Sequence, residues 1–182
     1  MTAHCDLLAG RTEKGYVVRV QGRGTSAHSP ALADFAMECF ARDPDEVITV
    51  DLLGCEYLDS TFLGCLLKLQ RAGTPARFQV VADEAVRERL LTTTQLDSYL
   101  TLIPSAPPTA SKFLRVDAKP HSELELGRHI MEAHEALSAV PSNVASKFRA
   151  IAAQLKVELD ERDLNDPSMT DTVVLKAVRP RK

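Results

Sequence analysis

Val47-Ile-Thr-Val-Asp-Leu-Leu-Gly-Cys-Glu-Tyr-Leu-Asp-Ser-Thr-Phe-Leu-Gly-Cys-Leu-Leu-Lys-Leu69 reads as a buried strand, a short loop and the opening of a helix. Val47 to Leu53 is β-branched and nearly all apolar, the pattern of a strand covered on both faces. Thr61 to Arg71 is rich in leucine and reads as a helix, ended by Gly73 with Pro75 beyond it. Asp59 and Ser60 stand where a helix takes its N-terminal cap.

Working outward, Leu7-Leu-Ala9 and Tyr16-Val-Val-Arg-Val20 flank the turn-like Arg11-Thr-Glu-Lys-Gly15, which predicts a β-hairpin. Gly22-Arg-Gly24 ends its second strand. Ala31 to Ala41 carries Leu32, Phe35, Ala36 and Cys39 at helical spacing, and Pro30 suits a first helical turn. Arg77-Phe-Gln-Val-Val81 predicts a further core strand, Glu84 to Leu91 a third helix and Tyr99-Leu-Thr-Leu-Ile103 a last strand. A hairpin followed by alternating helices and strands is an α/β arrangement with a mixed sheet, largely parallel after the hairpin, and packed helices.

Pro104-Ser-Ala-Pro-Pro-Thr-Ala-Ser111 breaks this pattern. Residues 104–121 read as a linker between a domain at 1–103 and a helical extension at 122–164, with a flexible tail at 165–182. Ser122 and Glu125 fit a capping box, followed by the apolar stripe Leu126, Ile130, Ala133 and Leu137. Pro141-Ser-Asn143 interrupts, and Ser142 or Asn143 can cap a second helix with Val144, Phe148, Ile151, Leu155 and Leu159 on one face. The two stripes match as a helical hairpin packed within the chain; the alternative is a homo-oligomer through the same helices. Thr172-Val-Val-Leu175 has the composition of a short strand.

Composition narrows the function. The chain has 182 residues, a formal net charge of −3 and 45% hydrophobic residues, so nothing general favours nucleic acid as a partner. The N-terminus has no basic region ahead of an apolar run, and no apolar stretch approaches the ~20 residues of a membrane span. A cytoplasmic protein is expected, with Cys5, Cys39, Cys55 and Cys65 as reduced thiols. No cofactor motif is present: Gly22-Arg-Gly24 lacks the third glycine of a dinucleotide fingerprint, and no phosphate-binding G-x-x-x-x-G-K-[ST] occurs. His129 and His134 are five apart, unlike an i, i+4 ligand pair, and no Cys/His spacing suits zinc, so no metal is expected. No G-x-S-x-G elbow supports a hydrolase, and the chain is expected not to be an enzyme.

In its strand–loop–helix frame, Asp51-Leu52 followed by Leu58-Asp59-Ser60 and Leu63-Gly64 resembles the STAS family of anti-sigma factor antagonists. Gly22, Ser26-Ala27 and Pro30-Ala31-Leu32 extend the likeness over about residues 5–103. The resemblance implies a regulatory protein-interaction module. Its expected partner is an anti-sigma factor or serine kinase of the histidine-kinase-like ATPase type, and Ser60 is its phosphoacceptor. It also implies partner contacts at Thr25, Ser26, His28, Asp59, Thr61 and Phe62. Two positions differ from the family pattern: Phe62 stands where glycine is usual, and Thr25 where many members have Asp. On physical grounds a helix N-terminus favours added phosphate through its unpaired N–H groups and dipole, whereas the simpler role for Asp59 or Ser60 is capping. The alternative function is a non-phosphorylated STAS-like scaffold or complex subunit in a signalling or lipid-transport assembly.

Overall fold

β2 (Gly15–Gly24) organises the sheet, because two different strands follow it in parallel on one side. Its first half pairs with β3 (Val47–Asp51), and its last residues pair with β4 (Cys55–Leu58) across a shift of register after Gly22. On its other side lies β1 (Cys5–Arg11), antiparallel, with Cys5 opposite Gly22 and Arg11 opposite Tyr16. β5 (Phe78–Val81) and β6 (Leu102–Ile103) continue in parallel beyond β3. The computed structural model describes residues 5–104 and 106–164, and among these the sheet order is β6-β5-β3-β2-β1-β7, with β4 attached to β2. This is the mixed α/β sheet expected from the sequence.

β7 (Phe113–Arg115) lies inside the stretch read as a linker, antiparallel to β1. Gly10 admits it: a Cβ there would stand 2.6 Å from Ala110 Cβ and 3.0 Å from the Lys112 carbonyl oxygen. Arg19 stacks on the Phe113 ring at 3.9 Å, and Arg115 pairs with Asp6. The strand has three residues, too few for a period-2 signal. β4 also went unread, because its Glu56 and Tyr57 face solvent between buried Cys55 and Leu58.

The helices α1 (Ser29–Arg42), α2 (Ser60–Arg77) and α3 (Glu84–Leu90) follow the expected order. α2 breaks at Thr74, whose φ of 62° interrupts the helix next to Gly73 and Pro75, the stop signal read from the sequence. Two single helical turns, 92–94 and 96–98, precede the predicted last strand at 99–103, of which only Leu102–Ile103 joins the sheet. Gln95 between them is left-handed, with φ 58°.

The core lies between sheet and helices: Val18, Val20, Ile48, Val50, Phe78 and Val80 from the strands meet Leu32, Ala36, Leu66 and Leu67. Glu46, 3% exposed, is a charged group buried beside it, held by Arg11 and Arg42. Burial opposes its ionisation, and hydrogen bonds from the two guanidiniums reverse that, leaving its carboxyl below the ordinary glutamate range.

The extension is a hairpin of α4 (Glu123–Ser138) and α5 (Ala145–Leu164). α4 opens with the expected capping box, Ser122 accepting from the Glu125 N–H while Glu125 accepts from Ser122. The helices approach closely at Gly127, where a Cβ would stand 2.8 Å from Leu159 Cδ2. Arg128 reaches Asp163 at 2.6 Å. The stripe is rotated from the one read: Ile151 is 42% exposed and Ala152 is buried in its place. Thr172–Leu175 and the tail at 165–182 lie outside the described residues.

Candidate functional site

Asp59 decides the local structure at the start of α2. As the residue before the helix, it accepts the Phe62 N–H at Oδ1 (2.8 Å), the side-chain cap expected of Asp at this position. Its other oxygen, Oδ2, accepts the Ser26 N–H at 2.7 Å. The Asp59 N–H in turn donates to the Gly24 carbonyl at 3.1 Å. One carboxylate therefore fastens the loop after β2 to the entry of α2.

That loop is itself braced. His28 Nδ1 accepts the Thr25 N–H at 3.3 Å, so this nitrogen carries no proton, and the Thr25 hydroxyl donates to it at 2.9 Å. The N–H groups of His28 and Ser29 both return to the Thr25 carbonyl. Thr25, Ser26, His28 and Asp59 thus form one partly exposed surface beside Ser60.

Phe62 and Thr61 depart from the expectation that they touch a partner. Phe62 is fully buried, and its ring lies over Gly24, where a Cβ would come within 2.9 Å of Cδ2. The bulk that Phe62 brings to the helix start is accommodated because Gly24 lacks a side chain. Thr61 is 4% exposed. Phe62 faces the sheet at Gly24. Asp51 also serves structure: its Oδ1 accepts the Leu53 N–H at 3.0 Å, and Arg19 stands 3.5 Å from Oδ2.

Ser60, the first residue of α2, has its hydroxyl 3.0 Å from His134 Nε2 on α4. His134 Nδ1 lies 2.8 Å from the Ile130 carbonyl, an acceptor only, so Nδ1 holds the proton and the Ser60 hydroxyl donates to Nε2. The Phe148 ring of α5 tilts against the imidazole at a centroid distance of 5.8 Å. One turn earlier on α4, His129 Nε2 lies 2.8 Å from the Ser29 hydroxyl at the start of α1. Burial pushes the His129 imidazole below its ordinary pKa, and Lys68 adds to this. The two histidines, five apart, therefore face two different helices, each bonding one serine. His134 was not legible as part of the site. Its local signal was only a polar residue beside Ala133 and Leu137 on the apolar stripe, where a buried polar group requires a partner.

Ser60 and His134 form a serine–imidazole pair, the first two members of a nucleophilic constellation. Among the described residues no carboxylate takes the third place: the imidazole is oriented by a backbone carbonyl, and both Asp59 oxygens are engaged by backbone N–H groups. The Phe62 N–H, one of the donors at this helix end, is taken by Asp59.

The family model described as "Mlab, STAS domain" matches residues 8–104, just over half of the chain. The protein belongs to the STAS domain family. Among solved structures, the STAS chain is similar to an anti-sigma factor antagonist from Mycobacterium paratuberculosis. The two are 26% identical, with 58% of this chain and 90% of that chain covered and a TM-score of 0.49. No curated protein matches. The match ends before β7, so β7 and the α4–α5 hairpin are additions to the family domain. No described helix is long and apolar enough to cross a membrane.

Proposed function

We propose that this STAS domain is a regulatory protein-interaction module without turnover of its own, acting in the cytoplasm. Its partner is an anti-sigma factor or a serine kinase of the histidine-kinase-like ATPase type. Ser60 is the phosphoacceptor, and ATP is the kinase's substrate, not a cofactor of this chain. The observation that carries the reading is the Asp59 carboxylate. By binding the Ser26 and Phe62 N–H groups together, it joins the 25–28 loop and the start of α2 into one surface with Ser60 on it.

Phosphate on Ser60 would add about −1.5 to −2 charges at the positive end of a long helix, next to Asp59. A partner docked on that surface with acidic or apolar groups is then repelled, a switch that needs no refolding of the sheet. The contact set is narrower than the sequence implied: Thr25, Ser26, His28 and Asp59 remain at the surface, without Thr61 and Phe62.

A second reading, a non-phosphorylated scaffold or complex subunit, draws support from the hydrogen bond that holds Ser60 against α4. Phosphopeptide mass spectrometry of the protein from its own cells separates the two, together with coprecipitation of Ser60→Ala and Ser60→Asp chains. Under the switch, Ser60 is modified, Ser60→Ala keeps the partner and Ser60→Asp loses it. An unmodified Ser60 with equal recovery by both variants leaves the scaffold.

A further inference from the structure

The hairpin covers the face of α2 on which Ser60 lies. α4 crosses α2 with backbone contact at Gly64, where a Cβ would fall 2.2 Å from the Ala133 carbonyl oxygen. Around this point, Ser60 bonds His134, Lys68 pairs with Glu132 and Ser29 bonds His129. The Ser60 hydroxyl points at an imidazole 3.0 Å away, and Phe148 backs that ring. A phosphoryl group brings a phosphorus and three oxygens, and the hydroxyl cannot take one while it is held in this contact.

The same features make the hairpin removable. The sheet and α1–α3 supply nearly all of the buried core, with Ala136, Leu137 and Val140 its contribution from the extension. Beyond Leu137 and Val140, the interface consists of alanines, two serine–histidine hydrogen bonds and a partly exposed ion pair, a type that contributes little in water. α5 lies outermost, with Ile151 and Val157 exposed. The approach to α4 is tied to α1 through Lys119–Glu38 and His121–Asp34, both at the surface.

We propose that the α4–α5 hairpin is an internal competitor for the partner-binding face of α2: docked, it holds the half-buried Ser60 hydroxyl against His134, and kinase and partner engage that hydroxyl only when it lifts away. This rests on the reading that the Ser60 surface is the docking face. By linkage, anything that holds the lifted state, phosphate on Ser60 included, opposes redocking of the hairpin, and docking of the hairpin opposes modification.

The test places a thiol at the held position of the full chain, Ser60→Cys, and follows its reaction with a maleimide. The four native thiols are buried, and burial raises them all, Cys5 and Cys39 to about 11 and Cys65 to about 12, so the added thiol reports position 60. The same chain is then opened from the hairpin side with Ala133→Arg or, separately, Leu137→Glu, leaving the STAS core sequence otherwise intact. Labelling at residue 60 should accelerate on the order of tenfold or more in both, since each change removes at least ~1.4 kcal/mol of docking. Hydrogen exchange in β3 and β5 should not change. Opening also removes the imidazole beside the thiol, which slows the reaction, so an acceleration reports access. Rates in both variants equal to that of the Ser60→Cys chain alone overturn the proposal, whether position 60 is open under the docked hairpin or the hairpin does not lift. If labelling accelerates but the Ala133→Arg chain with Ser60 restored is never modified in its own cells, the gate stands and the docking reading fails.

Discussion

The Ser60 hydroxyl donates to Nε2 of His134 across 3.0 Å, joining residues 74 apart in sequence. Each supplies what the other needs. Ser60 sits at a helix start where its hydroxyl would otherwise face water, and His134, 5% exposed, requires a partner for its second nitrogen once Ile130 has taken the first. The bond couples the family domain to its extension.

A double-mutant cycle measures that dependence. Ser60→Ala and His134→Phe each remove the bond, so their effects should not add. The expected coupling is ~0.5–1.5 kcal/mol, the net worth of one hydrogen bond. Denaturant unfolding of the single and double variants gives the number. A coupling near zero means that the bond does not hold the hairpin.

Asp59→Ala acts on the domain side. It removes the α2 cap, which costs ~0.5–2 kcal/mol, and frees the Ser26 N–H as well. The stability loss should be accompanied by faster amide exchange at residues 25–29, because the carboxylate is what ties that loop to α2. Asp59→Asn, still a good cap, should recover most of the stability.

The frame of the site was readable, but what covers it was not. The apolar run at 47–53, Asp59-Ser60 at a helix start and the Gly73–Pro75 stop are local signals, and each governs the backbone within a few residues of itself. Phe62 could not be placed, because its burial depends on Gly24, a residue from another strand. The stripes of α4 and α5 announced a hairpin, but Ile151 was assigned inward on a spacing that Ala152 satisfies better once Gly127 draws Leu159 close. Ser60–His134 and Ser29–His129 join segments 74 and 100 residues apart, which no window of sequence contains.

Acid should loosen the hairpin. His129 has its pKa below the ordinary 6.5 when docked, first through burial and then through Lys68 of α2, with Glu132 of α4 and Asp34 of α1 opposing and His121 adding to the depression. A released hairpin returns the imidazole to its ordinary value, so the free form binds the proton first. Docking is therefore unaffected above about 6.5 and weakens as pH falls below it. Small-angle scattering at pH 7.5 and pH 5 should show a larger radius at the lower pH, and His129→Gln should reduce the difference. An equal increase in both chains assigns the effect to other groups.

Gly64 gives a test whose sign reverses. In the full chain Gly64→Ala puts a methyl carbon 2.2 Å from one Ala133 backbone atom and 2.6 Å from another, and backbone cannot yield as a flexible side chain does. Overpacking of this kind costs ~1–3 kcal/mol, more than the ~1 kcal/mol that alanine gains over glycine inside a helix. The variant should therefore be less stable, with the loss confined to exchange protection in α4 and α5. In a chain ending at residue 121, β7 and its pairing with β1 are kept but Ala133 is gone. There the three closest atoms, all of Ala133, are gone and the helix term prevails, so the same substitution should stabilise by ~0.5–1 kcal/mol. The shortened chain should itself fold, since the core cluster lies almost wholly within residues 5–100. Urea unfolding of the four chains decides the matter: a loss in the long form and a gain in the short one places the Gly64 constraint on the α4 contact. A loss in both would place it within the STAS domain, and α4 would then be resting on a glycine that the domain needs for another reason.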